Sequence, residues 1–252
     1  ISGRVERFLA GRFQTDEELE SRPRFLDKNV LALPHIAVQA LVGEVGRIRD
    51  LAVAELGNVL AGRRPGRGHR PQAVVLSLAN AIGDYAAELS RTELPSDVSR
   101  MLPDLLFSTQ QLSDVVQSLP ELSELRDEVT IEDPGVRSAL EELQMSAERF
   151  LHGLAASEAS EAPKDLKAAW QALDKAHEQL RREALGAAAV GRLSAAAMST
   201  VLRYGTLLRR LLKRTHRAGD RIASVQASLV EEPDQDAEPQ KSESESDSEL
   251  LV

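Results

Sequence analysis

Between Pro34 and Leu60, apolar residues fall at Ile36, Val38, Leu41, Val42, Val45, Ile48, Leu51, Ala52, Leu56, Val59 and Leu60. That sustained 3.6-residue stripe predicts a long amphipathic helix over about 35–61, with Glu44, Arg47, Arg49, Asp50 and Glu55 mostly off the stripe. Similar stripes predict helices over about 72–91, 95–119, 135–156, 164–186 and 194–228. The breaks are chemical. Arg63 to Pro71 holds two glycines and two prolines, Thr92 to Ser96 is a turn around Pro95, Ser157 to Pro163 is small and polar, and Leu185 to Ser194 carries two glycines. Ser96 and Ser194 are candidate N-caps. Pro103 either kinks the third helix or marks a later start.

Three helices, a polar acidic stretch from Pro120 to Pro134, then three more helices give an all-α chain of two tandem antiparallel three-helix bundles. The expected divisions are a leader at 1–33, a first bundle at 34–122, a linker at 123–134, a second bundle at 135–229 and an acidic tail at 230–252. The leader opens with a basic amphipathic piece, Arg4 to Phe13, in which Val5, Phe8, Leu9 and Phe13 can lie on a membrane interface while Arg4, Arg7 and Arg12 meet anionic headgroups.

Composition sharpens this picture. Aromatic residues make up only 3 % of the chain against 42 % apolar residues in all, so Leu, Val, Ile and Ala must fill the core, which favours packed helices over a sheet sandwich. The absence of cysteine excludes disulfides, thiolate metal sites and cysteine nucleophiles. Of the net charge of −9, the nine acids and one lysine after Val230 carry −8, leaving −1 for the body. A near-neutral body suggests no nucleic-acid surface, and the tail is expected to be disordered. No run approaches the roughly 18 apolar residues of a membrane span. The start at Ile1 rather than Met leads us to expect a piece of a longer polypeptide or a processed form.

The approach Arg24-Phe-Leu-Asp-Lys-Asn-Val-Leu-Ala-Leu-Pro34, followed by Glu44-x-x-Arg47-Ile48-x-x-Leu51-Ala52, resembles the cytoplasmic PhoU-like region of bacterial sodium/phosphate cotransporter family proteins. Ala81 to Ser90 and Leu193 to Met198 are similar to that family's second and last helices. The resemblance covers about residues 24–228 in element order and is clearest over 24–122. It implies two three-helix bundles and a regulatory role beside a transporter.

Many PhoU proteins hold metal through Glu-x-x-x-Asp pairs, whose spacing puts both carboxylates on one helical face. The corresponding stretch here is Gln111 to Gln117, with Ser113 and Gln117 at the two positions. In either of two adjacent registers, Asp114 alone cannot remake the pair, so no metal cluster is expected. His216 and Asp220 stand at i, i+4 on a basic stretch and read as an exposed charged face. His35, His69, His152 and His177 lack zinc-site spacing. No nucleophile elbow, phosphate loop or dinucleotide fingerprint is present. Arg63, Arg64, Arg67 and Arg70 read as a solvated basic loop more readily than as a phosphate grip. Trp170 and Tyr204 sit at helical positions, and Trp170, which shares spacing with Leu166 and Leu173, reads as core.

The sequence thus predicts a non-enzymatic regulatory or accessory domain without catalytic residues, metal or cofactor. The resemblance places it on the cytoplasmic face of the bacterial inner membrane, as part of a sodium-dependent phosphate transporter. Expected partners are the membrane, through a missing N-terminal region, and helix-face protein partners or a second copy. The alternative is a free-standing PhoU-type phosphate-signalling adaptor that docks to a transporter or sensor kinase.

Overall fold

A computed structural model describes residues 20–63, 70–156 and 163–231. Among these residues the chain is helical, without strands. After a short 3₁₀ turn at Lys28–Val30 come α1 (Pro34–Leu60), α2 (Pro71–Leu89), α3 (Ser96–Gln117), α4 (Leu119–Glu128), α5 (Pro134–Ala156), α6 (Pro163–Ala189) and α7 (Ala195–Glu231). Proline opens α1, α2, α5 and α6, and Pro120 is in the first turn of α4. There its fixed φ suits the helix and its missing N–H costs no bond. Pro103 lies inside α3, which runs on through it.

The hairpin turns follow from glycine. Gly62 (φ 71°) and Gly191 (φ 74°) sit just past α1 and α6 in the left-handed conformation. The next amide then closes back on Asn58 O at 2.9 Å in the first turn and on Ala187 O at 2.9 Å in the second. Helix α6 therefore passes Gly186 and ends near the second glycine of its expected break. Ser194 caps α7 by accepting from Ala197 N at 3.1 Å, as expected. Ser96 does not cap α3: it is the first helical residue, and Pro95, at the cap position, has no side-chain acceptor to offer.

Helices α1, α2 and α3 pack on one another, and so do α5, α6 and α7. The grouping into two trios does not divide the core. Helix α7, 37 residues long, also lies along α3, α1 and α4, and α5 touches α1. Pairs such as Gln111–Arg221 and Asp114–Arg214 show that α7 runs antiparallel to α3. The buried apolar residues form one continuous cluster from Ala37 to Val225.

The expected linker at 123–134 is not one. Residues to Glu128 are helical, and Leu119, Leu122, Leu125 and Ile131 are buried. Three leucines at i, i+3, i+6 make an apolar edge that the surrounding acids and prolines hide from a compositional reading. Arg126 of α4 donates to Val59 O, so α4 also satisfies a carbonyl at the end of α1.

Asp133 joins the second trio to this strap. Its Oδ1 accepts from Gly135 N and Val136 N, both at 3.0 Å, capping α5, and its Oδ2 takes Arg192 Nη1 at 2.6 Å from the α6–α7 turn. We expect Asp133→Ala to cost about 1–2 kcal/mol, the loss of a buried cap. Asp133→Asn should restore most of it, because the amide oxygen still accepts from the backbone. Denaturant melts of the three proteins check this, and equal stability of all three would refute the cap.

Candidate functional site

The residues that carry the family resemblance meet in space. Glu44 is fully buried on α1. Its Oε2 accepts from Arg24 N at 2.8 Å and Phe25 N at 3.0 Å, and its Oε1 from Arg47 Nη1 at 2.9 Å. Arg47 in turn donates to Arg22 O at 2.8 Å and to Glu20 O. A Glu-x-x-Arg pair one turn apart thus grips both amide donors and carbonyl acceptors of the leader. Gly43 makes the room: a Cβ there would lie 3.0 Å from the Phe25 ring. Asp27 caps the 3₁₀ turn through Asn29 N at 2.9 Å, and its carbonyl accepts from Tyr85 Oη of α2 at 3.0 Å. Burial, then the Asp27 carboxylate, raises the Tyr85 pKa, so the phenol stays a donor. Periodicity sets Glu44 and Glu55 mostly off the apolar stripe, yet both are buried. The amides that Glu44 accepts from lie on the leader, which a helical wheel does not include, whereas Glu55 accepts from Asn58 Nδ2 at 3.2 Å on its own helix.

Beside this clamp, Phe25, Ile36, Gly43, Leu229 and Val230 line a groove of about 600 Å³ between the starts of α1 and the end of α7. Phe25, Leu33, Ile36 and Val230 are exposed. His35 Nε2 meets Asp97 Oδ2 at 2.8 Å, tying α1 to α3 at the same end. Burial alone would raise the Asp97 pKa, but the His35 bond and backbone amides outweigh it and leave it lowered.

On α3, Ser113 and Gln117, the positions that the resemblance aligns with metal carboxylates, differ in burial. Ser113 is buried, with an Oγ that has no hydrogen-bond partner, whereas Gln117 is exposed. Asp114 faces Arg214 of α7 at 3.6 Å and accepts from Gln110 at 2.9 Å, and Gln111 accepts from Arg221 at 3.0 Å. Guanidinium groups therefore face Gln111 and Asp114, the polar residues nearest Ser113 on the helix. Among the described residues, no group of three or more His, Asp or Glu side chains is placed to hold a metal ion. Ser113→Glu with Gln117→Asp is expected to lower stability rather than create a site, because a new charge at 113 is buried without a partner. Calorimetric titration with Mn²⁺ and Zn²⁺ alongside a thermal melt checks both halves.

His216 and Asp220 do meet, at 3.3 Å, on the wall of a cavity of about 510 Å³. Arg49 of α1, Leu154 of α5 and Leu166 of α6 also line it, with further residues of α7. The His216 ring also stacks edge-on to Phe150 (5.6 Å), which is edge-on to Trp170 (5.2 Å), and Arg209 covers the Trp170 ring at 5.6 Å while holding Asp174 at 2.6 Å. These contacts knit α5, α6 and α7 together. Tyr204 is buried in the core, whereas Trp170, expected there, is only partly buried against it.

His177 packs where Gly205 lets α7 approach α6: a Cβ at 205 would stand 3.2 Å from Leu180 and 3.5 Å from the imidazole. Burial first, then the Arg209 charge, lowers the His177 pKa below its usual 6.5. The unfolded chain therefore takes up a proton that the folded chain refuses. The stability this group supports is complete above the unfolded value and is lost as pH falls below it toward the folded one. Melting temperature should decline as pH falls below about 6.5, and His177→Gln should flatten that decline. An identical slope in the variant would refute the assignment.

Arg4, Arg7, Phe8, Leu9, Arg12 and Phe13, the predicted membrane contacts, lie outside the described residues, as do His69, Arg64, Arg67 and the tail beyond Glu231. His152 is an exposed residue of α5. Among the described residues, no helix is long and apolar enough to cross a membrane. No family model, curated protein or solved structure matches the chain.

Proposed function

We propose that this chain is a cytosolic regulatory or accessory PhoU-like domain of a sodium-dependent inorganic phosphate transporter. In this reading, transport is carried by a membrane-spanning region outside the chain, and the described helices bind and position rather than catalyse. The observation that supports the reading is the clamp of Glu44 and Arg47 on the leader that ends at Phe25-Leu26-Asp27. It joins the two separate stretches on which the resemblance rests. A module held at its entry by a rigid grip can pass a displacement of that segment into α1. The exposed apolar groove beside the clamp favours protein contact, and this also suits the second reading, a free-standing phosphate-signalling adaptor.

The test begins with the genomic sequence upstream of Ile1, where the transporter reading expects several apolar segments of about 20 residues. The encoded protein, expressed in cells stripped of other phosphate uptake, should take up radiolabelled phosphate only with sodium. Charging the groove through Phe25→Glu and Ile36→Glu should change that uptake by about fivefold or more. No upstream apolar segments, with uptake independent of this gene, would overturn the transporter reading in favour of the adaptor.

A further inference from the structure

Arg203, Arg210, Arg214, Arg217 and Arg221 recur along α7 at steps of seven, four, three and four residues. At about 100° per residue they fall within about 40° of one line, and at 1.5 Å per residue they cover about 27 Å. Arg203 reaches Glu121 at 3.5 Å, Arg214 reaches Asp114 at 3.6 Å, and Arg221 donates to the neutral Gln111. Arg210 and Arg217 are exposed and have no ion-pair partner among the described residues. Lys213, on the flank of the line, has none either. Like charges one turn apart repel, so the line stores positive potential along a surface that one molecule can follow.

The chain itself contains a matching counter-charge. Helix α7 ends at Glu231, and from that residue onward nine acids stand against the single Lys241. The 21 residues after Glu231 can extend about 70 Å, whereas the helical distance from Glu231 back to Arg203 is about 42 Å. Covalent attachment also holds the acids at high effective concentration near the arginines. We propose that the arginine line of α7 is the docking surface of the chain's own acidic segment 231–252. The association is by charge along the line and requires no fixed backbone conformation in the segment.

The absence of cysteine allows a clean test in the full chain. Thr206→Cys, on the exposed flank of the line, and Ser248→Cys accept a donor and an acceptor dye. A free coil would place the dyes about 45 Å apart. Docking should bring them within about 30 Å and raise energy transfer about twofold or more at 20 mM salt, a gain lost by 0.5 M as the screening length shortens from about 20 to about 4 Å. Reversing Arg210, Lys213 and Arg217 to Glu should remove the low-salt signal, while Arg210→Lys with Arg217→Lys should keep it. If the reversed protein fails to fold, neutralising the tail through Glu243→Gln, Glu245→Gln, Asp247→Asn and Glu249→Gln should give the same loss. Transfer that ignores salt, or survives both sets of changes, overturns the proposal. So does a wild-type chain whose arginine line binds phosphatidylglycerol vesicles at low salt with no change in transfer, since the line would then be open to another anion.

Discussion

Glu44→Ala is expected to lower the melting temperature by about 10 °C. The substitution removes the acceptor for two backbone amides and strands the guanidinium of Arg47, which is largely buried. Breaking such a pair from one side costs about 3–5 kcal/mol, and each kcal/mol moves the midpoint by about 2–4 °C in a chain of this size. The damage should also be local. Arg24, whose amide is held by Glu44, becomes a site for trypsin, while Arg22 stays uncut because Pro23 follows it. Mass spectrometry of brief digests reads this directly. A variant that melts like the wild type, with Arg24 still protected, would show that the leader is held by something other than the clamp.

Phe150→Ala should be comparably severe, at about 3–5 kcal/mol. Its ring is fully buried between Trp170 and His216. Since Trp170 is the only tryptophan in the chain, its emission should shift to the red as water enters beside the indole. The two substitutions lie in different trios, yet each should displace a single transition. Tryptophan fluorescence and far-ultraviolet circular dichroism should follow the same curve, because α7 contributes to the core on both sides. Two separated transitions in either variant would mean that the trios melt independently.

The sequence makes the helices legible because their stripes are long and their ends are marked. The predicted starts at about 35, 72, 135 and 164 each fall one residue past a proline that opens the observed helix. Helix α4 stayed hidden because 10 residues give fewer than three turns of signal, and half of them are acidic or proline. The clamp was half legible. The resemblance singled out Glu44 and Arg47 together with Phe25, Leu26 and Asp27, but a stripe ranks a residue only by its own polarity. It cannot register that backbone amides about twenty positions earlier will bury a carboxylate. Asp133 and Arg192 were missed for the same reason: they are 59 residues apart and meet only once α5 and α6 have folded back. The missing carboxylates at Ser113 and Gln117 are visible in sequence, whereas the arginines that face the neighbouring Gln111 and Asp114 come from a helix about 100 residues later.

The shared α7 also decides how the molecule tolerates being cut. A break placed between Glu128 and Pro134 leaves an N-terminal piece whose α1 and α3 lack the wall that Leu211, Ala218 and Ile222 belong to, and a C-terminal piece whose longest helix has lost its bed. Neither fragment has a closed interior, so each should be insoluble or molten when produced alone. Co-produced, they regain a large apolar contact and should assemble as a nicked whole. The chain is thus suited to fragment complementation: a reporter split at this point would record whether two tethered proteins come together.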